Sequence, residues 1–180
     1  DWAPYTDAVS DLAVPSMNIV YADVDGNVGY AMSGKLPVRT SGDGTLPLDG
    51  NALPAWSGTI DPGSLPRVFN PPSGLIYSAN NEIDRSFNGL VTRDWTAGFR
   101  ASRLRDVLGQ AQGVDLDAMA ALQNDKHSVA ADLVLAGVES ALKTARSRDG
   151  EASTASLLDR LAKWDQVVDS RPVVTLSQAL

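Results

Sequence analysis

Nine of the ten prolines in this 180-residue chain lie before Gly89, and helix-forming Ala, Leu and Arg dominate after it. Proline fixes φ and removes an N–H, so beyond its opening residues the first half cannot hold a long helix. No proline interrupts the second half until Pro172. The chain therefore reads as α+β in two parts: a β-hairpin and loop-rich part over residues 1–93 and a helical lobe over 94–180. Its 43% hydrophobic and 21% charged residues are those of an ordinary globular protein. Twenty-two acidic against 15 basic residues give a net charge of -7, which repels a phosphate backbone and argues against a nucleic-acid partner. The absence of cysteine excludes a disulfide framework, a thiolate zinc site and a Cys nucleophile. No apolar run approaches the ~18 residues of a membrane span, so no membrane partner is expected. The start Asp1-Trp2-Ala3-Pro4 lacks the basic and apolar regions of a leader, so any signal peptide is expected to have been removed or to lie outside this sequence.

Within the first part, Trp2, Tyr5, Ala8 and Leu12 fall at helical spacing and predict a short helix ending before Pro15. A strand is expected over 17–23. Asp25-Gly26 then separates two apolar runs, and glycine supplies the positive φ of a tight hairpin. Residues 35–70 are dense in Pro and Gly and predict a long ordered loop with a short strand around Trp56; loops of that length are usually functional or packed on a neighbour. Residues 74–79 form an apolar run between Pro71-Pro72 and Asn80-Asn81, which predicts a buried strand ending in a polar loop. From Asp94 the pattern is helical, with helices expected over 96–108, from 115 or 116 with Asp115 as cap, over 128–145 and over 152–165. In the third of these Val129, Leu133, Ala136 and Val138 are expected inside; in the last, Leu157, Leu158, Leu161 and Trp164.

Asp23-Val24-Asp25-Gly26-Asn27 offers the closely spaced oxygens a hard cation wants, but it is too short for a calcium loop of the EF-hand kind and has no distal Glu. A hairpin turn is the better reading. His127, the only histidine, sits in a polar stretch at a helix start and reads as a surface residue, not a metal ligand or triad member. Glu82 and Asp84 cannot be singled out as an acid–base pair. Arg100, Arg103, Arg105 and Asp106 read individually as charges on a helix surface. The pair Asn80-Asn81 is compatible with a turn, and also with a side-chain amide donating its N–H to a developing oxyanion.

Taken together, Asn18-Ile19-Val20-Tyr21-Ala22-Asp23-Val24-Asp25-Gly26-Asn27-Val28-Gly29-Tyr30, Leu46-Pro47-Leu48-Asp49-Gly50, Trp56-Ser57-Gly58, Asn70-Pro71-Pro72-Ser73-Gly74 and Ser78-Ala79-Asn80-Asn81 resemble, in order and spacing, the middle of the large β subunit of the penicillin acylase (penicillin amidase) family. Asp94-Trp95-Thr96-Ala97-Gly98-Phe99-Arg100 is similar to the family's stretch entering a helix, and residues 157–165 resemble a later helix ending in Trp-Asp.

The resemblance implies an incomplete piece of an N-terminal nucleophile (Ntn) hydrolase αββα sandwich, followed by the helical lobe. It implies a parent enzyme that cleaves a linear amide through an acyl-enzyme on an N-terminal Ser, whose own α-amino group acts as base through water. Asn80 falls on the family's oxyanion-hole asparagine. Arg100 falls on its active-site arginine, which orients that asparagine and the nucleophile's amine, so the two side chains are expected to lie close together. Met17 matches a position lining the acyl pocket, and Gly44 one whose backbone carbonyl coordinates calcium in some members. Asn88-Gly89 stands where the family's nearby carboxylate ligand is found, so no cofactor is implied as required, and structural calcium remains an option of the parent protein. Internal serines such as Ser33 and Ser78 have no free α-amino group, so the chain alone is expected to be inactive. The implied partners are the remaining segments of the parent α and β chains and a small-molecule amide with a phenylacetyl-like, fatty or dicarboxylic acyl group; the implied location is periplasmic or secreted. The competing reading is a non-catalytic extracytoplasmic ligand-binding or scaffold module.

Overall fold

The computed structural model of the protein describes residues 1–52, 55–82, 84, 86–149 and 152–168. They belong to two compact units, Asp1–Ala101 and Ser102–Leu180, and the architecture is α+β.

The first unit opens with helix α1 (Trp2–Asp11). Pro4 sits in its first turn, where a missing N–H costs nothing because that group has no partner within the helix anyway. Strands β1 (Asn18–Ala22) and β2 (Val28–Met32) then form the expected antiparallel hairpin, with Asn18 opposite Met32 and Ala22 opposite Val28. The connecting turn is closed by Asp23. Its carboxylate accepts from the Asp25 N–H (3.0 Å), the Asn27 N–H (2.9 Å), Asn27 Nδ2 (2.8 Å) and the Tyr21 hydroxyl (2.8 Å). These donors, the Asn27 side chain foremost, hold the Asp23 carboxyl below its usual range. Both carboxylate oxygens are spent inside the turn, which is what a structural turn requires and a cation site does not.

Residues 35–70 hold more strand than the sequence suggested. Strand β3 (Pro37–Arg39) pairs with β4 (Trp56–Thr59) as a two-stranded sheet, and β5 (Arg67–Phe69) adds to the hairpin, giving the order β1-β2-β5. β2 is therefore central, and the two faces of its sheet are covered differently. On one face Trp2 stacks on Phe69 (ring centroids 4.9 Å) and on Tyr5 (5.4 Å), and Tyr5 meets Tyr21 at 4.9 Å. Gly29 makes this possible, because a Cβ there would be driven into the Trp2 ring. Gly29→Ala is accordingly expected to destabilise the full-length protein by about 1–3 kcal/mol through overpacking. Denaturant unfolding checks this, and an unchanged midpoint would show that α1 does not rest on the sheet in solution.

On the other face Tyr30, Met32, Leu36 and Leu65 are buried together, with Ile60, Ile76, Phe87 and Val91 packed against them. Residues 74–79 are not a strand, contrary to the expectation from their apolar run. They pair with no strand edge; Ile76 packs on this core, and the backbone on either side stays irregular.

Helix α2 (Phe99–Gln110) starts three residues later than expected, and Thr96 lies before it, bonded to the Ala79 and Asn80 carbonyls as described below. In the second unit α3 (Leu116–Gln123) is capped as predicted, the Asp115 carboxylate accepting from the Ala118 N–H at 2.8 Å. Helices α4 (Val129–Asp149) and α5 (Ala152–Ala162) pack on each other. The expected inner stripe of α4 holds in part. Val129 and Val138 are half-buried, but Leu133 is 68% exposed and Ala136 is exposed, and Ala131, Leu135 and Leu142 are half-buried in their place. His127 is also not a bare surface residue. Its Nε2 lies 2.8 Å from Asp132 Oδ2, and its backbone bridges to Val167 while the Ser128 N–H donates to the Gln166 carbonyl. The histidine thus closes the α4–α5 pair onto the chain that follows it. Arg103 bonds Asp125 at 2.7 Å and Arg105 bonds Asp106 at 3.0 Å, as helix-surface charges do.

Candidate active site

Asn80 and Arg100 come together. Arg100 Nη2 donates to Asn80 Oδ1 at 2.9 Å and to the Ala79 carbonyl at 3.0 Å. A guanidinium has donors only, so it fixes which end of the Asn80 amide faces it. Oδ1 points to Arg100, and Nδ2, with both its protons, is left without a partner among the described residues.

The backbone that carries this amide is held from several sides. Asn80 has φ +60°, a left-handed conformation that asparagine tolerates better than most residues. The Thr96 N–H donates to the Asn80 carbonyl at 3.2 Å, and the Thr96 hydroxyl lies 3.1 and 3.0 Å from the carbonyls of Ala79 and Asn80. From the other side Asn81 Oδ1 accepts from the Ala79 N–H at 3.1 Å, while Asn81 Nδ2 donates to the Glu82 carbonyl at 3.1 Å. The two neighbouring asparagines are thereby distinguished. Asn81 spends both ends of its amide on the turn, whereas Asn80 keeps a donor to offer. Thr96 was not singled out from the sequence; it lies four residues before Arg100, in the stretch that enters α2.

Ser78, next in line upstream, accepts from Asn18 Nδ2 at 2.9 Å, and Asn18 Oδ1 accepts from the Tyr30 hydroxyl at 2.7 Å. Tyr30 is buried, and that burial, with a contribution from Asp84, pushes its phenol up to about 12. It remains a donor throughout the range in which proteins work.

Met17 adjoins Asn18, which bonds Ser78 two residues before Asn80, and Gly44 lies in the loop after β3. Met17 precedes β1 with a side chain 43% exposed, and its backbone is fixed by Ser33: the Met17 N–H donates to Ser33 Oγ at 3.1 Å and its carbonyl accepts from the Ser33 N–H at 3.0 Å. No described hydrogen bond joins Met17 to Asn80 or Arg100. Ser33 is fully buried and serves this backbone, not chemistry. Gly44 has φ +86°, and the Arg39 guanidinium lies against it. The neighbouring Asp43 carboxylate accepts from the Thr45 N–H and hydroxyl and pairs with Arg93 Nε at 3.3 Å. A cationic side chain and an already satisfied carboxylate do not fit a calcium ion at Gly44 from this chain's side. Among the described residues no cluster of three or more His, Asp or Glu is grouped to hold a metal.

A cleft of about 320 Å³ opens among Glu82, Asp84, Arg93 and Trp95, downstream of Asn81. Neither Asn80 nor Arg100 lines it, so volume alone does not locate the chemistry. The free amide donor beside a fixed guanidinium is the more specific feature.

Comparison with known proteins identifies the family and the fold. The family model described as penicillin amidase matches residues 1–178. Penicillin acylase 2 proenzyme of Pseudomonas sp. (strain SE83) is 30% identical over 167 residues, 91% of this chain and 21% of that protein. Penicillin G acylase of Escherichia coli is 27% identical over 93% of this chain and 20% of its own length. Acyl-homoserine lactone acylase QuiP of Pseudomonas fluorescens is 30% identical over 69% of this chain and 15% of its own. Among solved structures, thermostable penicillin G acylase from Alcaligenes faecalis superposes with a TM-score of 0.71 at 25% identity, covering 95% of this chain and 31% of that one. The fold is thus a partial version of that Ntn-hydrolase architecture, and the chain spans about a fifth of the length of the curated relatives it matches most fully.

Proposed function

The chain belongs to the penicillin amidase family, and from that premise we propose that, within a longer protein, it supplies the oxyanion-stabilising part of a linear-amide hydrolase. The carrying observation is the 2.9 Å bond from Arg100 to Asn80 Oδ1, which turns Nδ2 outward as a donor. A serine outside these residues adds its oxygen to the amide carbonyl carbon, and its own α-amino group takes the hydroxyl proton. The carbonyl oxygen becomes an oxyanion, which accepts from Asn80 Nδ2. Collapse breaks the C–N bond, and the proton passes to the departing amine. Water then cleaves the resulting ester to release the carboxylic acid.

Arg100 contributes in two ways. It holds the amide in one orientation, so no reorganisation is needed when charge develops, and its positive charge lies beside the developing anion. The amide cleaved is of the kind that the relatives' names indicate, a penicillin or an acyl-homoserine lactone. A periplasmic or secreted location accords with family membership; among the described residues no helix is long and apolar enough to cross a membrane. The test is incubation of the full-length protein with penicillin G and with an acyl-homoserine lactone, followed by mass spectrometry. Equimolar acid and amine are expected from at least one, with a transient acyl adduct on an N-terminal serine. Release from neither, by a folded protein, would overturn the proposal.

A further inference from the structure

We propose that Tyr30, Asn18 and Ser78 form a positioning chain that ties the Asn80 turn to the central sheet and thereby sets where the oxyanion donor stands. The proposal rests on the reading of Asn80 as that donor. Its basis is that residues 74–79 are not a strand, so no ladder of backbone hydrogen bonds holds the segment that presents Asn80. Two anchors remain: Ile76 in the core, and the bond from Asn18 Nδ2 to Ser78 Oγ, which is the one hydrogen bond described between residues 74–78 and the sheet.

A single apolar anchor lets a segment pivot; a second, directional one stops the rotation. The direction is set from the core outward. Tyr30 is 3% exposed on the central strand β2, and its hydroxyl donates to Asn18 Oδ1. This fixes the Asn18 amide so that Nδ2, not Oδ1, faces Ser78. Asn18 and Tyr30 share a sheet face, because Asn18 lies opposite Met32 and Val20 opposite Tyr30 on the paired strand. The raised Tyr30 phenol keeps this donor protonated.

Thr96 and Arg100 hold the turn from its far side, through the Ala79 and Asn80 carbonyls, and the Asn18 bond holds it from the near side. Neither Asn18 nor Ser78 need touch substrate. Their effect is carried through the backbone to Asn80, where a displacement of about 1 Å is enough to cost a large factor in rate.

The experiment compares Asn18→Ala, Ser78→Ala and the double variant with wild type in the full-length protein. It measures kcat and KM on whichever of penicillin G and an acyl-homoserine lactone is hydrolysed, and deuterium uptake of the peptide covering residues 74–82. Ser78 is only half-buried and Asn18 is exposed, so both variants are compatible with folding. Each single change is expected to lower kcat about tenfold with KM within about twofold, and the double to be no worse than either single, as for links in one chain. Uptake over 74–82 should rise while that of the β1–β2 hairpin stays unchanged, and Ser78→Thr, which keeps the hydroxyl, should restore both readouts. Unchanged uptake, unchanged kcat, a change confined to KM, or additive losses would each overturn the chain. A wild type that hydrolyses neither amide defeats the reading of Asn80 as donor instead, and uptake alone then decides whether the chain holds the turn.

Discussion

Asn80→Ala in the full-length protein is expected to lower kcat for amide hydrolysis about 100- to 1,000-fold, with KM within about twofold. The donor is used only once the carbonyl oxygen carries charge, so its removal leaves ground-state binding nearly untouched. Asn80→Asp sharpens the test. A carboxylate still accepts from Arg100, now as a charge-assisted pair, so the turn is held at least as firmly. It has no N–H to offer and places negative charge where the oxyanion forms. This variant is expected to be as inactive as the alanine while unfolding no earlier than wild type. If Asn80→Asp kept near-normal turnover, Asn80 would be a turn residue and nothing more.

Arg100 carries the second large effect. Arg100→Ala removes the donor to Asn80 Oδ1 and one of the donors to the Ala79 carbonyl, so the amide rotates freely and Nδ2 faces the reacting carbonyl only part of the time. A loss of about 10- to 100-fold in kcat is expected, the scale of a misplaced rather than a missing group. Arg100→Lys restores the charge but not the planar fork, so it should recover only part of that loss. Steady-state kinetics on the three proteins separates the alternatives. Full recovery by lysine would mean that charge alone matters; no loss in the alanine variant would remove Arg100 from the site.

How far the sequence disclosed these features depends on how local their causes are. The β1–β2 hairpin follows from Asp25-Gly26, and the start of α3 from Asp115, because turn and cap chemistry act over a few residues. β5 left no such trace. It is three exposed residues long, and its pairing with β2 is decided by chain folded back from Pro37 onward. Residues 74–79 show the reverse failure: their apolar run suits a strand, but Ile76 packs on the core and Ala79 is buried without the segment pairing to any strand. In α4 apolar residues lie on several sides of the helix, so periodicity found Val129 and Val138 but not that Leu133 stays exposed. At the site, Asn80 reads locally as either a turn asparagine or an oxyanion donor, and Arg100 as a helix-surface arginine. Family resemblance brought them together across 20 residues of sequence, where neither periodicity nor spacing did. Tyr30, Asn18 and Ser78 lie in the segments that resemble the family, but their linkage left no signal, since a hydrogen bond 60 residues apart is written in no local pattern.

The double grip of Thr96 and Arg100 on the Ala79 and Asn80 carbonyls pins together the two ends of the excursion that leaves at Asn81 and returns at Thr96. In engineering terms the excursion is a loop closed at its base: side chains lining the cleft, Trp95 among them, can be exchanged without moving Asn80, whereas Phe87 and Val91 must keep their places on the core. A single residue inserted inside α2, between Phe99 and Arg100, would do the opposite, turning the arginine by about 100° around the helix and releasing the grip.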